Sequence, residues 1–595
     1  MKILSKSIKG FVFILKKLMI TIFISAFFAP VNHAQGLNDR IRLNQIGFYP
    51  ESPKIAVITD NIEGDFLITS ASSGEVVYKS KLSSPLKSAF SPQETRVADF
   101  SEVKIPGTYK LTIPGHGDSF NFKISPGVFC DLTKGLIKGF YYQRMSATLL
   151  PEYAGQWSHA AGHPDTGVII HPAAASNGRP EGTLISCPRG WYDAGDYNKY
   201  IVNSGITMGT LLSLYEDYPD YFDTLITNIP ESRDNVPDLL NEIVWNLRWM
   251  LTMQDPYDGG VYNKVTTANF AGMVMPSAAT EPRYIVPKGT AATLDFAAVM
   301  AQSGRIFYKF KKEYPGLADS CLKSAIRAWN WAVKNPDVAY NQNQMNKLYS
   351  PVINTGGYGD SDFSDEFIWA AAELYITTKE NNFYNAVSMF PDTLMPLPSW
   401  GNVRLLGYYT LARFEMKLTD KAKKDFPIIR ERMVKMANSL IEGISDRSYQ
   451  TVMGKSARDF EWGSNSVAAN QGIMLIQAYR LTGEKRYMNY ALANLDYIMG
   501  RNATGYSYVT GFGYKTPMFP HHRPSEADGI ADPIPGLIVG GPNPGKQDKC
   551  ATYTSDIPDE SYTDSVCSYA SNEIAINWNA PAAYLAGALD ALFSK

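Results

Sequence analysis

Residues 238–253 read Asp-Leu-Leu-Asn-Glu-Ile-Val-Trp-Asn-Leu-Arg-Trp-Met-Leu-Thr-Met. Apolar side chains recur in this stretch at intervals of three and four positions, which places them on one broad face of a helix. The preceding Asn235-Val236-Pro237 supplies a helix start signal. The stretch therefore predicts a long helix that packs its apolar face against other elements.

Further stretches with the same helical spacing follow one another from about residue 128 to the C-terminus. They are Asp131–Thr148, Gly205–Tyr218, Gly289–Phe310, Leu317–Val333, Asp365–Thr378, Val403–Leu418, Ile428–Ser445, Ser466–Thr482, Arg486–Met499 and Asn579–Phe593. No strand pattern alternates with them. Many helices joined by long loops rich in Gly, Pro and aromatic residues favour an α/α barrel over βαβ layering. In such a scaffold the loops carry the chemistry.

The segment from Arg40 to about Ser125 has a different pattern, typical of short strands. Its β-branched and aromatic stretches are Ile55–Thr59, Phe66–Thr69, Val76–Lys81, Thr108–Ile113 and Phe120–Ile124. Gly, Pro, Ser and Asn residues separate these stretches. Several short strands at this spacing predict a β-sandwich of roughly 90 residues.

Composition narrows the class of protein. The chain has 595 residues, of which 45% are hydrophobic and 19% charged, as in a soluble globular protein with more than one folded unit. The formal net charge is −2, and no run of Lys and Arg follows the first twenty residues. This argues against a nucleic acid partner, because phosphate binding needs a basic face.

The N-terminus has the pattern of a secretory signal peptide. Several Lys residues precede the apolar run Leu18–Phe28, and the small residue Ala34 follows it. We expect residues 1–34 to be removed and the protein to be secreted or periplasmic. A membrane anchor is the alternative, but the apolar run is shorter than the roughly 20 residues that a span needs. No Cys precedes Cys130, so a lipoprotein anchor is not indicated.

The chain has 5 Cys, and an odd count leaves at least one thiol unpaired within the chain. Cys550 and Cys567 are close enough in sequence to pair, although spacing alone cannot show that they do.

Three loop segments combine titratable side chains with aromatic residues. Residues 190–197, Gly-Trp-Tyr-Asp-Ala-Gly-Asp-Tyr, carry two carboxylates three positions apart. A structural or calcium-binding turn is the alternative to a catalytic one. Residues 507–523 end in Pro-His-His-Arg, which suits either a polar substrate or a hydrogen-bonded structural cluster. Residues 562–580 contain Glu573 just before an apolar helix, where a Glu is often only a helix N-terminal charge.

Together these segments resemble glycoside hydrolase family 9, the cellulase family with an (α/α)6 barrel, and specifically its members with an N-terminal immunoglobulin-like domain. Residues 42–47 match the opening of that domain, and residues 190–200 match the family's Asp-Ala-Gly-Asp segment. The positions that fit the two C-terminal signatures are Ser507, Val509, Thr510, Gly513, Lys515, Pro520, His521, Arg523, Tyr562, Asp564, Tyr569, Glu573, Ala575, Asn579 and Ala580. The resemblance implies an immunoglobulin-like sandwich over residues 38–126 and an (α/α)6 catalytic domain over residues 128–595.

The resemblance also implies roles for individual residues. Glu573 would be the catalytic acid and Asp196 the catalytic base, with Asp193 helping to hold the attacking water. The chemistry agrees, because inversion needs a protonated acid near the leaving oxygen and a carboxylate that activates water on the other face. The acid and the base need separate environments, so that one stays protonated and the other ionised.

Four further residues are implied in substrate binding. His521 and Arg523 would hold sugar hydroxyls near the cleaved bond. Tyr569 would lie beside the acid, and Trp462 is a candidate aromatic residue of the cleft. The partner is then a β-1,4-linked glucan polysaccharide or oligosaccharide, and the chemistry requires no cofactor.

Zinc is not expected, although many two-domain relatives carry a structural zinc on two Cys and two His. Met145, Gly162 and Tyr192 stand where two Cys and one His are expected, and only His163 remains. One ligand does not make a tetrahedral site. We expect packing by Met145 and Tyr192 to replace the metal, with the Tyr192 hydroxyl bonded to a polar partner.

Calcium is a second metal to consider. Residues 360–366 offer clustered oxygen ligands and resemble a calcium loop of the family. The candidate ligands are Ser361, Asp362, Asp365 and Glu366. The alternative is a solvated acidic helix start.

The leading hypothesis is an endo-β-1,4-glucanase that works as a monomer. An exo-acting relative and a non-catalytic glycan-binding protein on the same scaffold are the alternatives. The intact Asp193, Asp196 and Glu573 argue against mere binding, which needs no acid and base. No separate carbohydrate-binding module is visible, which favours soluble, mixed-linkage or branched glucans such as xyloglucan over crystalline cellulose.

Overall fold

The computed structural model describes residues 38–594 of the chain. The predicted signal peptide, residues 1–34, lies outside the described residues. Within them, every helix is too short or too polar to cross a membrane.

The N-terminal part is a sandwich of two sheets. Its strands are β1 Ile41–Arg42, β2 Gly47–Phe48, β3 Ile55–Ile58, β4 Asp65–Ser70, β5 Val76–Lys81, β6 Leu86–Lys87, β7 Glu94–Asp99, β8 Gly107–Ile113, β9 Gly117–Asp118 and β10 Phe122–Ile124. One sheet has the order β1-β3-β7-β6, and the other has the order β2-β10-β8-β4-β5, with β9 paired to β8. Apart from the parallel pair β10 and β2, neighbouring strands are antiparallel. The predicted β-sandwich is confirmed.

Aromatic rings fill the space between the two sheets. The Phe48 ring meets the Phe100 ring edge-on at a centroid distance of 5.2 Å and the Phe122 ring at 5.4 Å. All five predicted strands are present. Strand β7 was not predicted, because it buries the adjacent Thr95 and Arg96 as well as Ala98 and so lacks a clear alternation of polar and apolar residues.

Twelve helices build the larger part of the described chain. They are α1 Cys130–Tyr142, α2 Ile201–Asp217, α3 Asp238–Thr252, α4 Thr290–Phe307, α5 Leu317–Lys334, α6 Ser364–Thr378, α7 Asn381–Asn385, α8 Arg404–Arg413, α9 Asp420–Ile441, α10 Ser464–Thr482, α11 Lys485–Ile498 and α12 Ile576–Phe593. Shorter helices lie in the loops at Pro151–Ala154, Pro219–Phe222, Gln342–Leu348 and Arg523–Ala527.

The twelve helices alternate between two environments. The even-numbered helices are buried along most of their length, whereas several odd-numbered ones, such as α5 and α9, bury only one face. Six inner helices surrounded by six outer ones form an (α/α)6 barrel, and the predicted fold class is confirmed. All eleven predicted helices are present. The twelfth, α7, has 5 residues, too few for a periodic pattern.

Some predicted helix bounds are wrong. Helix α9 begins at Asp420 instead of residue 428, because Pro427 lies inside the helix instead of before it. Helix α8 ends at Arg413, and a separate 3₁₀ turn covers Glu415–Lys417.

The expectation that no strands lie among the helices is also wrong. A five-stranded sheet has the order β12-β11-β15-β14-β13. Its strands are β11 Val168–Ile170, β12 Leu184–Ile185, β13 Lys199–Tyr200, β14 Lys264–Thr267 and β15 Arg283–Ile285. Strands this short have no readable period. The sheet matters for the site because β13 leads from the loop of residues 190–197 into α2.

The opening of the small domain, residues 42–47, contacts the barrel. Asn44 Nδ2 donates to Asp496 Oδ1 at 2.8 Å, and Gln45 Nε2 donates to the carbonyl of Gly505 at 2.8 Å. These buried hydrogen bonds attach the sandwich to α11 and to the loop that follows it.

Candidate active site

The three loop segments singled out in the sequence meet in the folded chain. Ala194 forms an antiparallel bridge with Ala575, and His521 forms a parallel bridge with Glu573. Residues almost four hundred positions apart are thus backbone neighbours. A barrel closed on itself allows this, because its first and last helices are adjacent.

Gly195 lets these segments approach so closely. A Cβ atom at this position would lie 2.1 Å from the carbonyl oxygen of His521 and 3.2 Å from Oε1 of Glu573. Any larger residue would push the loop away from the Glu573 carboxyl group. The Gly between the two aspartates is therefore a requirement of packing.

Part of the Glu573 side chain is exposed, but its carboxyl group is buried, and this shifts the pKa. Burial, followed by the charge of Asp196, raises its pKa well above the ordinary value. The Arg523 guanidinium and the backbone N–H of Gly195 act in the opposite direction. Because burial dominates, the pKa of this carboxyl group is shifted in the direction that a proton donor needs.

Asp193 is buried and receives two hydrogen bonds. Asn203 Nδ2 donates to Oδ1 at 2.6 Å, and the Tyr358 hydroxyl donates to Oδ2 at 2.8 Å. Burial, then the charge of Asp196, raises the pKa of Asp193 well above its usual range, while the two donors lower it. The orientation of this side chain is therefore fixed from two sides.

Asp196 has a different environment. Its Oδ2 accepts hydrogen bonds from the side-chain amide of Asn198, from the backbone N–H of Asn198 at 3.3 Å and from the Tyr200 hydroxyl at 3.3 Å. Within residues 38–594, Oδ1 receives no hydrogen bond, so it is available to accept one from a ligand. Two nearby carboxyl groups in contrasting environments are what an acid and base pair requires.

His521 and Arg523 lie beside this group. His521 Nδ1 lies 2.6 Å from the carbonyl of Val566, which can only accept, so Nδ1 carries the proton and Nε2 is an acceptor. Burial lowers the pKa of His521 and keeps the ring neutral. Arg523 donates from Nη1 to the carbonyl of Gly195 at 2.6 Å and from Nε to the carbonyl of Ala271 at 2.9 Å. Arg523 thus fixes the loop between the aspartates.

Aromatic residues continue the site outward. Trp462 is 44% exposed, and its ring centroid lies 5.5 Å from that of Tyr569. The Tyr569 ring in turn lies 6.0 Å from the His521 ring. Flat rings in a row next to paired carboxyl groups suit the faces of sugar rings.

Several residues of the site were not found in the sequence. Tyr358 reaches Asp193 from a loop 165 positions away, and nothing local marks it. Asn203 follows Asp193 by ten positions, and a helix beginning after residue 200 would have placed it near the loop. Asn198 and Tyr200 belong to the stretch that matched the family, although no role was attached to them.

The positions considered for zinc are filled by packed side chains. Tyr192 donates or accepts a hydrogen bond at 2.9 Å with His163 Nδ1, and Met145 is completely buried beside Tyr192 and Tyr197. A side chain at Gly162 would meet the carbonyl of Pro276 at 2.4 Å. The expected packing contact of Tyr192 is thus present. Across residues 38–594, no group of three or more His, Cys, Asp or Glu is arranged to hold a metal ion.

Cys550 and Cys567 form a disulfide, with a Cα–Cα distance of 5.8 Å. Cys130, Cys187 and Cys321 are free. The disulfide closes a loop that ends next to Tyr569, so it constrains the segment leading to Glu573.

A carboxyl group with a raised pKa, a second carboxyl group with a free oxygen and a row of aromatic rings are typical of glycoside hydrolases. Comparison with known proteins extends this. Residues 129–586 match glycosyl hydrolase family 9, and residues 37–118 match the cellulase N-terminal Ig-like domain. The chain belongs to glycoside hydrolase family 9.

Individual relatives agree. The chain is 48% identical over 557 residues to the xyloglucan-specific endo-β-1,4-glucanase BoGH9A of Bacteroides ovatus, covering 93% of this chain and 94% of that protein. It is 34% identical to endoglucanase D of Acetivibrio thermocellus, covering 94% of this chain and 85% of the relative. A solved structure of a Bacteroides ovatus family 9 protein has a TM-score of 0.90 at 46% identity, covering 93% of this chain and 100% of the other. The predictions of the family and of endo-β-1,4-glucanase activity are confirmed.

Proposed function

We propose that Glu573 is the catalytic acid of this glucanase, that Asp196 is the base, and that cleavage inverts the anomeric carbon. The observation that carries the proposal is the contrast between the two carboxyl groups. Burial holds the pKa of Glu573 well above its usual value. Asp196, in turn, has one oxygen held by Asn198 and Tyr200 and the other free to accept.

The reaction then has two simultaneous proton transfers. Glu573 gives its proton to the glycosidic oxygen as the bond from that oxygen to the anomeric carbon breaks. A water molecule attacks the same carbon from the opposite face, and Asp196 takes a proton from this water. A β-linkage thus yields an α-anomer, and afterwards Asp196 releases its proton to solvent while Glu573 takes one up.

Asp193 supports the water instead of reacting with it. Asn203 and Tyr358 fix both of its oxygens, so its carboxyl group has one orientation. Its proximity to Asp196 places two acceptors near one water molecule. We infer that Asp193 orients this water, and that Arg523 keeps both aspartates in register with Glu573 through Gly195.

We further propose that the substrate is a soluble or branched β-1,4-glucan of the xyloglucan type and that cleavage is internal. The Bacteroides ovatus relative, named as xyloglucan-specific, supports this substrate. Exposed rings support a long cleft, since Trp462 is 44% exposed, Trp400 37% and Phe270 48%. His521 would accept a hydrogen bond from a sugar hydroxyl at Nε2, and Tyr569 would pack beside the acid.

A substrate panel tests this proposal. Purified enzyme is incubated with xyloglucan, mixed-linkage glucan and soluble cellulose derivatives, and product lengths are followed over time. Internal cleavage gives a rapid fall in viscosity and a range of oligosaccharides. Release of only glucose or cellobiose from chain ends would establish the exo-acting alternative, and binding without hydrolysis would establish the non-catalytic one.

A structural calcium ion is proposed at the start of α6. Glu366 Oε2 and Asn402 Oδ1 are buried without hydrogen-bond partners, and Asp365 accepts from the N–H of Val403, next to Asn402. Burial and neighbouring carboxylates raise the pKa of Asp365 and of Glu366. A divalent cation would satisfy these oxygens and stabilise the helix start.

Two of the four predicted calcium ligands fit this site less well. Asp362 is exposed, and its Oδ1 accepts the N–H of Ser364, so its side chain already serves the helix start. Ser361 is exposed as well. We therefore assign the calcium to Asp365, Glu366 and the amide oxygen of Asn402, with no part in the chemistry.

We also propose that the enzyme is exported and works as a monomer. The signal-peptide pattern of residues 1–34 supports export. Mass spectrometry of the mature N-terminus and light scattering of the purified protein test the two statements.

A further inference from the structure

Lys264 is a fully buried lysine in the sheet behind the loop of residues 190–197. It is the first residue of β14, where it pairs with Tyr200 of the antiparallel strand β13. Its exposed fraction is 0%. A buried ammonium group is costly unless its charge and its three protons are satisfied.

The three protons of Lys264 are satisfied by neutral acceptors. Nζ donates to Gln342 Oε1 at 2.7 Å, to Thr355 Oγ1 at 2.9 Å and to the carbonyl of Gly356 at 2.6 Å. Within residues 38–594, no carboxylate lies within ion-pair distance of Nζ. Lys199, by comparison, is paired with Asp165 at 2.8 Å, whereas the buried Lys54 of the small domain also donates only to neutral oxygens.

The charges that act on Lys264 belong to the active site. Asp196 and Asp193 are the acids whose fields stabilise its ammonium form, and the Tyr200 and Tyr340 rings lie 5.3 and 5.8 Å from Nζ. Burial lowers the pKa of Lys264 to about 7, against the effect of the two carboxylates. Below neutral pH the ammonium form of Lys264 therefore places a positive charge near the two aspartates.

A chain of hydrogen bonds links Lys264 to Asp196. Thr355, which accepts from Nζ, shares a hydrogen bond of 2.6 Å with Thr266. Thr266 donates to Asn198 Oδ1 at 3.1 Å, and the amide of Asn198 donates to Asp196. The Asn198 side chain is thus held by Thr266, which contacts the hydroxyl that Lys264 holds, and by the backbone N–H of Thr267 at 3.0 Å.

A second connection runs to Asp193. Lys264 fixes the carbonyl of Gly356, and two residues later the hydroxyl of Tyr358 donates to Asp193 at 2.8 Å. One lysine therefore anchors the loop that serves both aspartates.

We propose that Lys264 is a positioning residue of the base site, which holds residues 355–358 against Asp193 and Asp196 and places a buried positive charge near them. The inference rests on the proposed roles of the two aspartates.

The test compares Lys264→Met with wild-type enzyme on xyloglucan oligosaccharides. Because the charge of Lys264 lowers the pKa of Asp193, its removal should raise that pKa and move the acid limb of the kcat/KM profile up by about one pH unit. We expect kcat to fall about 30-fold with little change in KM. Lys288→Met is the matched control, because Lys288 pairs with Asp255 at 2.6 Å away from the aspartate pair, and it should leave the acid limb in place.

A second variant keeps the inference testable if Lys264→Met does not fold. Thr355→Val removes the hydroxyl that joins Lys264 to Thr266 and retains the volume. We expect kcat to fall about tenfold with unchanged KM. Thr133→Val is its control, because the buried Thr133 hydroxyl has no hydrogen-bond partner among the described residues, and its activity should be unchanged.

The outcomes separate this inference from the proposed function. An unmoved acid limb in a folded Lys264→Met enzyme, or wild-type kcat in Thr355→Val, would overturn the role of Lys264. If wild-type enzyme does not hydrolyse any β-1,4-glucan, the proposed function itself fails.

Discussion

Tyr358→Phe removes one hydroxyl and tests how Asp193 takes part in catalysis. The hydroxyl donates to Asp193 Oδ2 at 2.8 Å, and Tyr358 is one of the two hydrogen-bond donors that lower the pKa of this carboxyl group against burial. A hydrogen bond to a charged group contributes about 1.5–3 kcal/mol, whereas one to a neutral group contributes about 0.5–1.5 kcal/mol. If Asp193 is ionised when it orients water, kcat/KM should fall about 10-fold to 150-fold.

The pH dependence fixes the sign of the effect. The Tyr358 hydroxyl favours the ionised carboxylate, so its removal raises the pKa of Asp193 further. Activity that needs the ionised form is then lost at a higher pH on the acid side, and the variant is weakest at low pH. The assay is kcat/KM for xyloglucan oligosaccharides measured across the acid limb.

Tyr215→Phe is the matched control for this measurement. It removes a comparable hydrogen bond of 2.9 Å, from a buried tyrosine to Asp223, at the far end of α2. Stability should fall in both variants, but kcat/KM should fall only in Tyr358→Phe. A Tyr358→Phe enzyme with kcat/KM within twofold of wild type and an unmoved acid limb would refute the role of Asp193.

Three further changes have defined outcomes. Glu573→Gln should lower turnover of polysaccharide about 10²–10⁴-fold. It should also remove the alkaline limb of the pH–activity profile, because in wild type this limb follows loss of the proton from Glu573, whose pKa is raised. Aryl glycosides with good leaving groups should partly rescue Glu573→Gln but not Asp196→Asn. Calcium should raise the melting temperature of wild type but not of Glu366→Gln. An equal rise in both would show that calcium does not bind at this site. Replacing Cys550 and Cys567 by Ala should destabilise the protein by up to about 3 kcal/mol, because the disulfide spans 17 positions; unchanged urea unfolding would contradict this.

Two controls accompany these changes. Glu484→Gln alters an exposed carboxylate of a surface ion pair with Arg486, and its response to calcium should equal that of wild type. Cys321→Ala alters a buried free thiol, so any loss of stability there reflects packing alone.

The helices could be predicted because each carries its own period of apolar residues. Residues 238–253 specify α3 to within one residue, since the apolar spacing and the Pro237 start signal are both local. Pro427 shows the limit of this reasoning, because tertiary packing retains a proline inside α9 that sequence rules place before a helix.

The meeting of the segments that carry Asp193, Asp196 and Glu573 was predictable, because each lies in a dense local motif. Their supports were not predictable, because Tyr358 lies in the loop before α6 and Lys264 in β14, both far from the aspartates in sequence. Pairing in that sheet depends on register between segments such as Lys199–Tyr200 and Lys264–Thr267, which no local pattern specifies. A polar partner for the Tyr192 hydroxyl, by contrast, was expected from the missing metal ligands, and the structure identifies it as His163.

The stereochemistry of the first product tests the central claim most directly. Glu573 is assigned as the acid and Asp196 as the base on opposite faces of the sugar, with the two carboxyl groups about 6.5–9.5 Å apart to admit a water molecule. Proton NMR of a fresh digest of a β-1,4-linked oligosaccharide should therefore show the α-anomer first, with the β-anomer growing in by mutarotation. Initial release of the β-anomer would contradict the assignment of both residues.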